Sequence, residues 1–310
     1  MILTNDFINE YYEYIDENYY SEINPVHIKT ERALKILINE ESLINFRNNE
    51  LSYCTGALLY PDKNNGKVWF NRGILLHYIG CLKDLYLHKS KIKKNLKNLN
   101  LKFFDKKDDK LGNPIQYNFL NFSENGSNVY NNYNYSLIMK FKHEVDLNSI
   151  LEIGGGFGML ASLFILKNPN INKYSLIELP GTALIANYYL SEKLKNINDV
   201  DLIYKKDEKS STNIGVHVSE SVKNNIYQFA NINTAINVES FQHMNEEDIK
   251  FYLKLFDENK IKNVISLNRH INVRKGEVKF VDYFLEKDFK IINSYETVIP
   301  NHFITLFKKK

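Results

Sequence analysis

Four glycines and an acidic residue lie close together near the middle of the chain. A short apolar run containing Glu152 leads into Gly154, Gly155 and Gly156, and Gly158 follows just before an apolar helical pattern begins. Glycines allow positive φ angles and a close approach of the backbone to a ligand, while a helix start presents free N–H groups. A tight turn alone needs fewer glycines and no acid. The stretch therefore predicts a strand, a cofactor-binding turn and a helix start.

Two cofactor fingerprints overlap in this stretch. Residues 156–161 satisfy the dinucleotide pattern G-x-G-x-x-G/A, with Glu178 at a suitable distance downstream to contact a ribose. The other frame begins at Glu152 and places an acid two residues before the first of the alternating glycines. This frame resembles the first motif of class I S-adenosylmethionine (SAM) methyltransferases. We favour it, because the dinucleotide frame leaves Gly154 and Gly155 unexplained at a strand end, where glycine costs stability.

Length and composition limit the class of protein. The chain has 310 residues, 44% of them hydrophobic and 13% aromatic, which suits one large domain or two modest ones with a sizeable core. A net charge of +3 is too small to indicate nucleic acid or a membrane as partner. Residues 1–10 lack the pattern of a signal peptide, and no apolar run reaches spanning length. Cys54 and Cys81 form no metal-binding pattern, so we predict a cytoplasmic protein.

Behind the glycine turn, strands and helices alternate as a parallel sheet requires. Strands are predicted at residues 149–153, 173–179, 234–240 and 262–267, and helices at 245–257, 277–289 and up to residue 194. Residues 201–204 and 213–218 fit either a short strand pair or one strand with an insertion. Residues 290–298 and 303–307 fit a closing hairpin. The predicted fold class is α/β, with a mostly parallel sheet that a closing antiparallel hairpin completes.

The front half, residues 1–145, is predicted to be mostly helical. Apolar residues follow helical spacing at residues 26–46 and 75–86, residues 60–66 form a loop, and His77 suits a packed core position. The basic run 89–97 suits a solvated helix end better than a nucleic-acid site. Residues 116–135 are rich in Asn and Tyr, which fits a carbohydrate or cofactor pocket as well as a compositional habit of the chain. Tyr117, Tyr130 and Tyr133 are the candidate substrate contacts.

Several sequence blocks together resemble a known family. They are residues 151–158, 177–180, 188–190 and 237–244, and they make residues 150–310 similar to class I SAM-dependent methyltransferases and, more narrowly, to bacterial sugar O-methyltransferases. The resemblance implies a Rossmann-like class I methyltransferase sheet at residues 146–310, which is the SAM-binding catalytic domain. It also implies methylation of a sugar hydroxyl in a nucleotide sugar or a surface glycan, such as capsule or lipopolysaccharide. The helical N-terminal region would then close the acceptor pocket or support a homodimer.

The resemblance also implies roles for individual residues. Glu178 would accept both ribose hydroxyls of SAM, since a carboxylate supplies two acceptor oxygens. The adenine would lie near residues 218–220. The cofactor-binding candidates are Glu152, Gly154, Gly155, Gly156, Phe157, Gly158, Glu178, Leu179, Ser219 and Asn237.

Methyl transfer to a hydroxyl requires a group that takes the hydroxyl proton. His243 is the leading candidate, because it follows a predicted strand at the edge of the sheet where ligands bind and because histidine titrates near neutral pH. Glu239 would orient His243 or hold a divalent ion such as Mg²⁺, although the neutral Asn237 weakens the case for a metal. His270, just beyond the next strand, is the second candidate base.

Two other functions remain open from the sequence. The dinucleotide frame allows an NAD(P)-dependent oxidoreductase. The chain could also be a non-catalytic SAM-binding partner of a second methyltransferase, with its front half as the docking surface.

Overall fold

The computed structural model describes residues 3–19, 23, 25–48, 51, 72–107, 110–114, 116–119, 122–226, 229, 231–270 and 279–310. Cys54 and the predicted loop at residues 60–66 lie outside the described residues, as do the side chains of His77 and Cys81. Within the described ranges, no helix has both the length and the apolar character that crossing a membrane requires.

The described part of the front half is mostly helical, as predicted. Its elements are α1 (Asn5–Asn18), α2 (Pro25–Leu37), α3 (Glu40–Ile44), α4 (Arg72–Asn98), the paired strands β1 (Tyr117–Phe119) and β2 (Phe122–Glu124), and α5 (Gly126–Ile138). The helical pattern at residues 26–46 is divided between α2 and α3. Asn39 causes the break, because its side chain and that of Ser42 form a capping box that starts a new helix.

The basic run at the end of α4 is less uniformly solvated than predicted. Lys89 is buried, and its Nζ lies 2.5 Å from Glu124 Oε1 and 3.0 Å from Asp105 Oδ1. The pKa of Lys89 is raised because these hydrogen bonds and charges outweigh the opposing effect of burial. Lys89 therefore ties α4 to β2 and to the segment that precedes β1.

The back half forms one eight-stranded sheet. Its strands are β3 (Ser149–Ile153), β4 (Lys173–Glu178), β5 (Val200–Ile203), β6 (Ile214–Val218), β7 (Thr234–Val238), β8 (Asn263–Arg269), β9 (Phe289–Glu296) and β10 (His302–Lys309). The order across the sheet is β5-β6-β4-β3-β7-β8-β10-β9. Strands β3 to β8 are parallel, and β10 runs antiparallel to both neighbours. Residues 201–204 and 213–218 therefore belong to a parallel strand pair.

The closing hairpin is present, but its second strand is not at the edge of the sheet. β10 lies between β8 and β9, so β9 is the edge strand. The predicted helix at residues 277–289 is also shorter, because α10 covers Phe280–Glu286 and the chain turns at Asp288, whose φ is +62°. Phe289 then begins β9.

Helices cover both faces of the sheet and create two apolar cores. They are α6 (Met159–Lys167), α7 (Pro180–Leu194), α8 (Ser219–Asn224), α9 (Glu246–Glu258) and α10. The strands β3 and β6 are buried along their whole length, which explains their continuous apolar runs. A mostly parallel sheet with helices on both faces is a Rossmann-like α/β fold, so the predicted fold class is confirmed.

The helical front half packs into one of these two cores. Tyr11 of α1, Leu34 of α2 and Phe46 are fully buried in the same apolar cluster as Phe157 and Tyr189. The Phe46 ring lies 5.3 Å from that of Phe157 and 6.2 Å from that of Tyr189, measured between centroids. The front half thus rests directly on the glycine turn and on α7.

Candidate functional site

A cavity of about 390 Å³ lies at the carboxyl ends of the central parallel strands. Its walls come from the glycine turn, the ends of β4 and β7, the first residues of α8 and α9, and the middle of α5. Ligands of open α/β sheets bind at this edge, where the strand order reverses direction. Here the reversal lies between the neighbouring strands β3 and β7. The chain continues from β3 to β4 on one side of this point and from β7 to β8 on the other side.

The glycine turn requires glycine for two different reasons. Gly154, Gly156 and Gly158 have φ angles of +67°, +61° and +87°, which side chains disfavour. A Cβ atom on Gly154 would also collide with the Ser240 side chain. Gly155 has no such φ, but a Cβ there would lie 2.5 Å from both Glu152 Cδ and Leu176 Cδ1. At Gly154, Gly155 and Gly156 the cavity wall therefore consists of backbone atoms alone.

Glu152 lies beneath this turn and is almost completely buried. Its Oε2 accepts a hydrogen bond of 2.6 Å from the Tyr174 hydroxyl, whereas Oε1 has no hydrogen-bond partner. Burial raises the pKa of Glu152 to about 7, with the Tyr174 hydrogen bond acting in the opposite direction. Since Glu152 lines the cavity, its second oxygen is available to a donor on a ligand.

Glu178, at the end of β4, faces the same cavity. Its Oε1 accepts a hydrogen bond of 2.5 Å from the Gly156 N–H, and its Oε2 accepts one of 3.1 Å from the Leu179 N–H. Burial raises the pKa of Glu178 to about 8, and these two N–H groups oppose that rise. Each carboxylate oxygen can accept a further hydrogen bond.

A third acidic residue lies just after the end of β6, within the stretch 218–220 that was predicted to lie near the adenine. Glu220 is buried, lines the cavity, and accepts a hydrogen bond of 2.6 Å from the Ser219 hydroxyl at Oε2. Ser219, the predicted adenine-site residue, also lines the cavity. The sequence analysis named residues 218–220 without a role for Glu220 itself, because the strand assignment there was uncertain.

His243 follows β7 in a short 3-10 turn and lines the cavity. The Gln242 amide nitrogen lies 3.2 Å from His243 Nε2, a contact in which the amide donates and the imidazole accepts. Gln242 is itself fixed, because its Oε1 accepts a hydrogen bond of 2.8 Å from the Arg269 N–H. Gln242 thus occupies the one acceptor nitrogen of a neutral imidazole, which differs from the orienting role predicted for Glu239.

Glu239 lines the cavity with a φ of +57°, an uncommon conformation for a residue with a side chain. Burial raises its pKa, and the charges of His302 and Arg269 oppose the rise. Among the described contacts, none joins Glu239 to His243. The described residues also contain no group of three or more His, Cys, Asp or Glu side chains that could hold a metal ion.

Asn237 lies below the cavity and does not line it. Its Nδ2 donates to the Ile153 carbonyl at 2.8 Å, and its Oδ1 accepts from the Phe241 N–H at 2.9 Å and from Asn268 Nδ2 at 2.8 Å. The fully buried Asn237 therefore links β3, β8 and the turn that carries His243. Gly158 likewise lies behind the cavity wall, where it caps α6.

Three other candidates lie outside the cavity lining. His270 stacks on Phe303 with the centroids 4.7 Å apart, and its Nε2 is 3.2 Å from Thr305 Oγ1. Burial, followed by the charge of Lys279, lowers the pKa of His270. Tyr117 is buried in β1.

Tyr133, the third of these candidates, is fully buried on α5. Its hydroxyl donates to Asn95 Oδ1 at 2.8 Å and accepts from the Val298 N–H at 3.0 Å. Burial raises its pKa to about 12. This contact joins α4, α5 and the turn between β9 and β10.

The Asn- and Tyr-rich segment does reach the cavity through α5. Tyr130, Asn131 and Asn134 line it, which is one helical face at i, i+1 and i+4. The Tyr130 ring stacks on His88, with centroids 4.9 Å apart, and Asn131 Nδ2 donates to the Ser127 carbonyl at 2.9 Å. The front half therefore contributes one wall of the site.

The charged side chains that line the cavity are mostly acidic. Among the described residues there are five carboxyl groups, namely Glu152, Glu178, Glu220, Glu239 and Asp248, against the single ammonium group of Lys223. Burial raises the pKa values of Glu152, Glu178 and Glu239, and a cationic ligand would favour the ionised form of each of them. The site therefore favours a ligand that carries positive charge.

No protein-family model matches this chain, and no curated protein matches its sequence. Among solved structures, the methyltransferase domain of bacterial CtHen1-CN is similar with 14% identity and a TM-score of 0.42, over 56% of this chain and 97% of that chain. Magnesium protoporphyrin IX methyltransferase (ChlM) from Synechocystis PCC 6803 with bound SAM shows 11% identity and a TM-score of 0.42, over 58% and 80%. The mitomycin 7-O-methyltransferase MmcR shows 12% and 0.40, over 59% and 57%. At these values, none of the three assigns an activity to this chain.

Proposed function

We propose that this protein is a SAM-dependent O-methyltransferase whose acceptor is a sugar hydroxyl. The observation that carries the proposal is the acid-lined cavity built around the glycine turn. SAM bears a positive sulfonium, an ammonium and a carboxylate together with an adenosine. A cavity with five carboxyl groups and one ammonium group suits the cationic centres of such a cofactor.

Individual groups of the site fit the parts of SAM. The Glu152 Oε1 atom, buried and without a partner, offers an acceptor for the ammonium group. The backbone at Gly154 and Gly156 allows close approach of the methionine portion. Glu178 would accept the two ribose hydroxyls, and Ser219 and Glu220 lie where the adenine would reach.

The same charges argue against NAD(P) as the cofactor. A dinucleotide pyrophosphate carries two negative charges and is normally bound by backbone N–H groups at the start of a helix. In this structure the Gly156 N–H is already donated to Glu178, and Glu152 lies beneath the turn. A pyrophosphate there would face two buried carboxyl groups, which is electrostatically unfavourable.

The protein's task in methyl transfer is alignment and removal of one proton. SAM supplies an activated methyl group, so the chain must hold a nucleophile in line with it. His243 is the proposed base that accepts the hydroxyl proton, which requires the acceptor hydroxyl to replace the Gln242 amide at His243 Nε2. Glu239 remains the alternative proton acceptor, since burial raises its pKa.

A neutral polyol acceptor suits the wall that α5 contributes. Tyr130, Asn131 and Asn134 supply hydrogen-bonding groups and one aromatic face. We therefore propose that residues 1–145 form the acceptor cap and residues 146–310 the catalytic domain. A nucleotide sugar and a glycan polymer present the same chemistry to this wall.

Isothermal titration calorimetry at pH 8 with SAM, S-adenosylhomocysteine, NAD⁺ and NADP⁺ tests the proposal. We expect both adenosyl ligands to bind and neither dinucleotide to do so. Glu178→Gln should weaken the binding of both adenosyl ligands, whereas Glu192→Gln on the exposed side of α7 should not. Binding of NAD(P) without SAM would overturn the proposed function.

A methyl-transfer assay with radiolabelled SAM and a panel of sugars and nucleotide sugars then tests the acceptor. Transfer that stays at background for every hydroxyl acceptor, together with tight SAM binding, would instead identify a non-catalytic SAM-binding subunit. If transfer is lost in EDTA and recovers with Mg²⁺, deprotonation assisted by a metal ion would replace His243 as the proposed route for the hydroxyl proton.

A further inference from the structure

A carboxylate from the front half caps the helix that follows the proposed ribose-binding residue. Glu31 of α2 is 5% exposed, and its Oε2 accepts a hydrogen bond of 2.8 Å from the Gly181 N–H in the first turn of α7. The residue at the N-cap of α7 is Leu179, which has no side-chain acceptor. Glu31 therefore satisfies a free N–H group of α7 from another part of the chain.

The contact is built closely around this turn. A Cβ atom on Gly181 would lie 2.6 Å from Leu34 Cδ1 and 3.2 Å from Glu31 Oε2, so α2 packs directly against the Gly181 backbone. The neighbouring Pro180 carbonyl accepts a hydrogen bond of 2.7 Å from the Tyr11 hydroxyl of α1. Two helices of the front half thus hold the backbone two and three residues beyond Glu178.

Glu31 also belongs to a set of buried acids. Burial raises the pKa of Glu31 to about 8, the Gly181 N–H opposes the rise, and the charges of Glu220 and Glu178 add to it. Its Oε1 has no hydrogen-bond partner. A charge on Glu31 therefore disfavours a charge on Glu178, because both lie in a medium of low dielectric.

Other titratable groups face the same region from every element around it. Tyr11 comes from α1, Glu152 from β3, Glu220 and Lys223 from α8, and Asp248 and Tyr252 from α9. The tyrosines are neutral over the relevant range, since burial raises their pKa values well above the ordinary value. The acids add to the negative field, which leaves Lys223 as the opposing charge among these groups.

We propose that Glu31 is a positioning residue for the cofactor site, which fixes the turn carrying Glu178 and, through its charge, sets the pH range in which Glu178 can accept the cofactor's ribose. The second half of this inference rests on the proposed function, because it requires SAM as the ligand. The first half, the fixed turn, does not depend on the ligand.

The pH profile of SAM affinity separates a charge effect from a purely structural one. In the wild type, affinity rises with pH as Glu178 ionises, and the profile is broadened because Glu31 ionises in the same range. Glu31→Gln keeps an oxygen acceptor for the Gly181 N–H but carries no charge. We expect its profile to be sharper and its midpoint lower by at least about half a pH unit, with similar affinity on the high-pH plateau.

Hydrogen exchange of the Gly181 amide provides a readout without any cofactor. Glu31→Ala should increase the exchange rate of this amide by at least about tenfold, whereas Glu31→Gln should retain its protection. Glu192→Gln, on the same helix but exposed, should change neither exchange nor the pH profile.

Each outcome decides part of the inference. Identical pH profiles for the wild type and Glu31→Gln would overturn the charge effect, and unchanged Gly181 exchange in Glu31→Ala would overturn the positioning role. A wild type that binds no SAM at any pH would instead overturn the proposed function, and the amide exchange would still decide whether Glu31 fixes the turn.

Discussion

At the scale of single residues, spacing along the chain predicted several side chains that share one cavity, but not the hydrogen-bond partners of each side chain. Glu152, Glu178 and His243 all line one cavity. Asn237 and Tyr133 instead hold separate elements together through hydrogen bonds to residues more than 80 positions away. Such partners depend on which strands are adjacent, and no local pattern contains that information.

Removal of the His243 imidazole should affect transfer and spare cofactor binding. We expect His243→Ala to lower kcat by about 10²–10⁴-fold with nearly unchanged Kd for SAM, because the proposed cofactor contacts are the glycine turn and Glu178. His243→Gln should be as slow, since an amide cannot accept the proton. His270→Gln, which changes a histidine outside the cavity lining, is the matched control and should keep normal transfer. Near-normal turnover in His243→Gln would exclude His243 as the base.

The pH dependence of kcat at saturating SAM reports on the same base. A histidine base gives a rate that rises between about pH 6 and 7 and then levels off. If Glu239 accepts the proton instead, the rise should persist in His243→Gln.

At the scale of elements, the glycine turn and the strand that precedes it act as one unit. The turn packs on Glu152 from above, so the Glu152 side chain leaves no room for a Cβ atom at position 155. The sequence predicted the strand, turn and helix within one or two residues, because a buried parallel strand followed by glycines is a strong local signal. The capping of α7 by Glu31 was not predictable, because 150 residues separate Glu31 from Gly181.

Adding one methyl group at Gly155 should disrupt this unit. The Cβ of Gly155→Ala would press on Glu152 Cδ and Leu176 Cδ1, so we expect a stability loss of about 1–3 kcal/mol and weaker SAM binding. Gly215→Ala on β6, whose Cβ would lie 2.8 Å from His217 Nε2, controls for destabilisation away from the turn. Chemical denaturation and calorimetry on both variants are the measurements. Equal SAM affinities of the two folded variants would contradict a role for the turn in binding.

At the scale of the whole molecule, the two halves share a core and a cavity. The front half supplies Tyr11, Leu34 and Phe46 to the core and α5 to the cavity wall. Three features could not be predicted from the sequence, because they depend on contacts between distant segments. These are the strand order, the sharing of this core and the position of β10. The apolar runs of β3, β4 and β6 nevertheless made the fold class recognisable, because strands buried on both faces leave a continuous pattern.

Removal of residues 1–145 should therefore abolish transfer. A fragment that starts at Asp146 would expose the apolar surface of α6 and α7 that the front half now covers, so we expect poor solubility and no activity. Solubility, circular dichroism and transfer assays on this fragment are the measurements. A folded fragment that methylates the acceptor at the normal rate would show that the front half is a separable module.

Buried acids should also make the folded protein less stable at alkaline pH. The pKa values of Glu31, Glu152 and Glu178 rise to about 8, 7 and 8, above the values of an unfolded chain. A raised carboxyl pKa gives a contribution that is fully present at low pH and is lost as pH rises through the folded value. His88 and His270 have lowered pKa values and oppose this trend, but only below about pH 6.5.

The free energy of unfolding should consequently fall from about pH 4.5, where carboxyls of the unfolded chain ionise, to about pH 8 and then level off, by at most about 1.4 kcal/mol per pH unit for each acid. The fall should be clearest between about pH 6.5 and pH 8, where the two histidines no longer oppose it. Urea denaturation at several pH values without cofactor measures this slope, and Glu31→Gln should reduce it. A free energy of unfolding that increases over this interval would contradict the ionisation behaviour of the three acids.

The place of β10 in the sheet has a consequence for biosynthesis. β8 and β9 are made first, yet neither pairs with the other, because β10 must come between them and contribute the buried Ile304, Leu306 and Phe307. A chain that ends before residue 302 has an open edge at β8 and leaves β9 without a partner in the sheet. Open strand edges pair readily with other chains. A premature stop codon just before residue 302 would therefore release a chain that contains every residue of the cavity lining but whose sheet is open to aggregation.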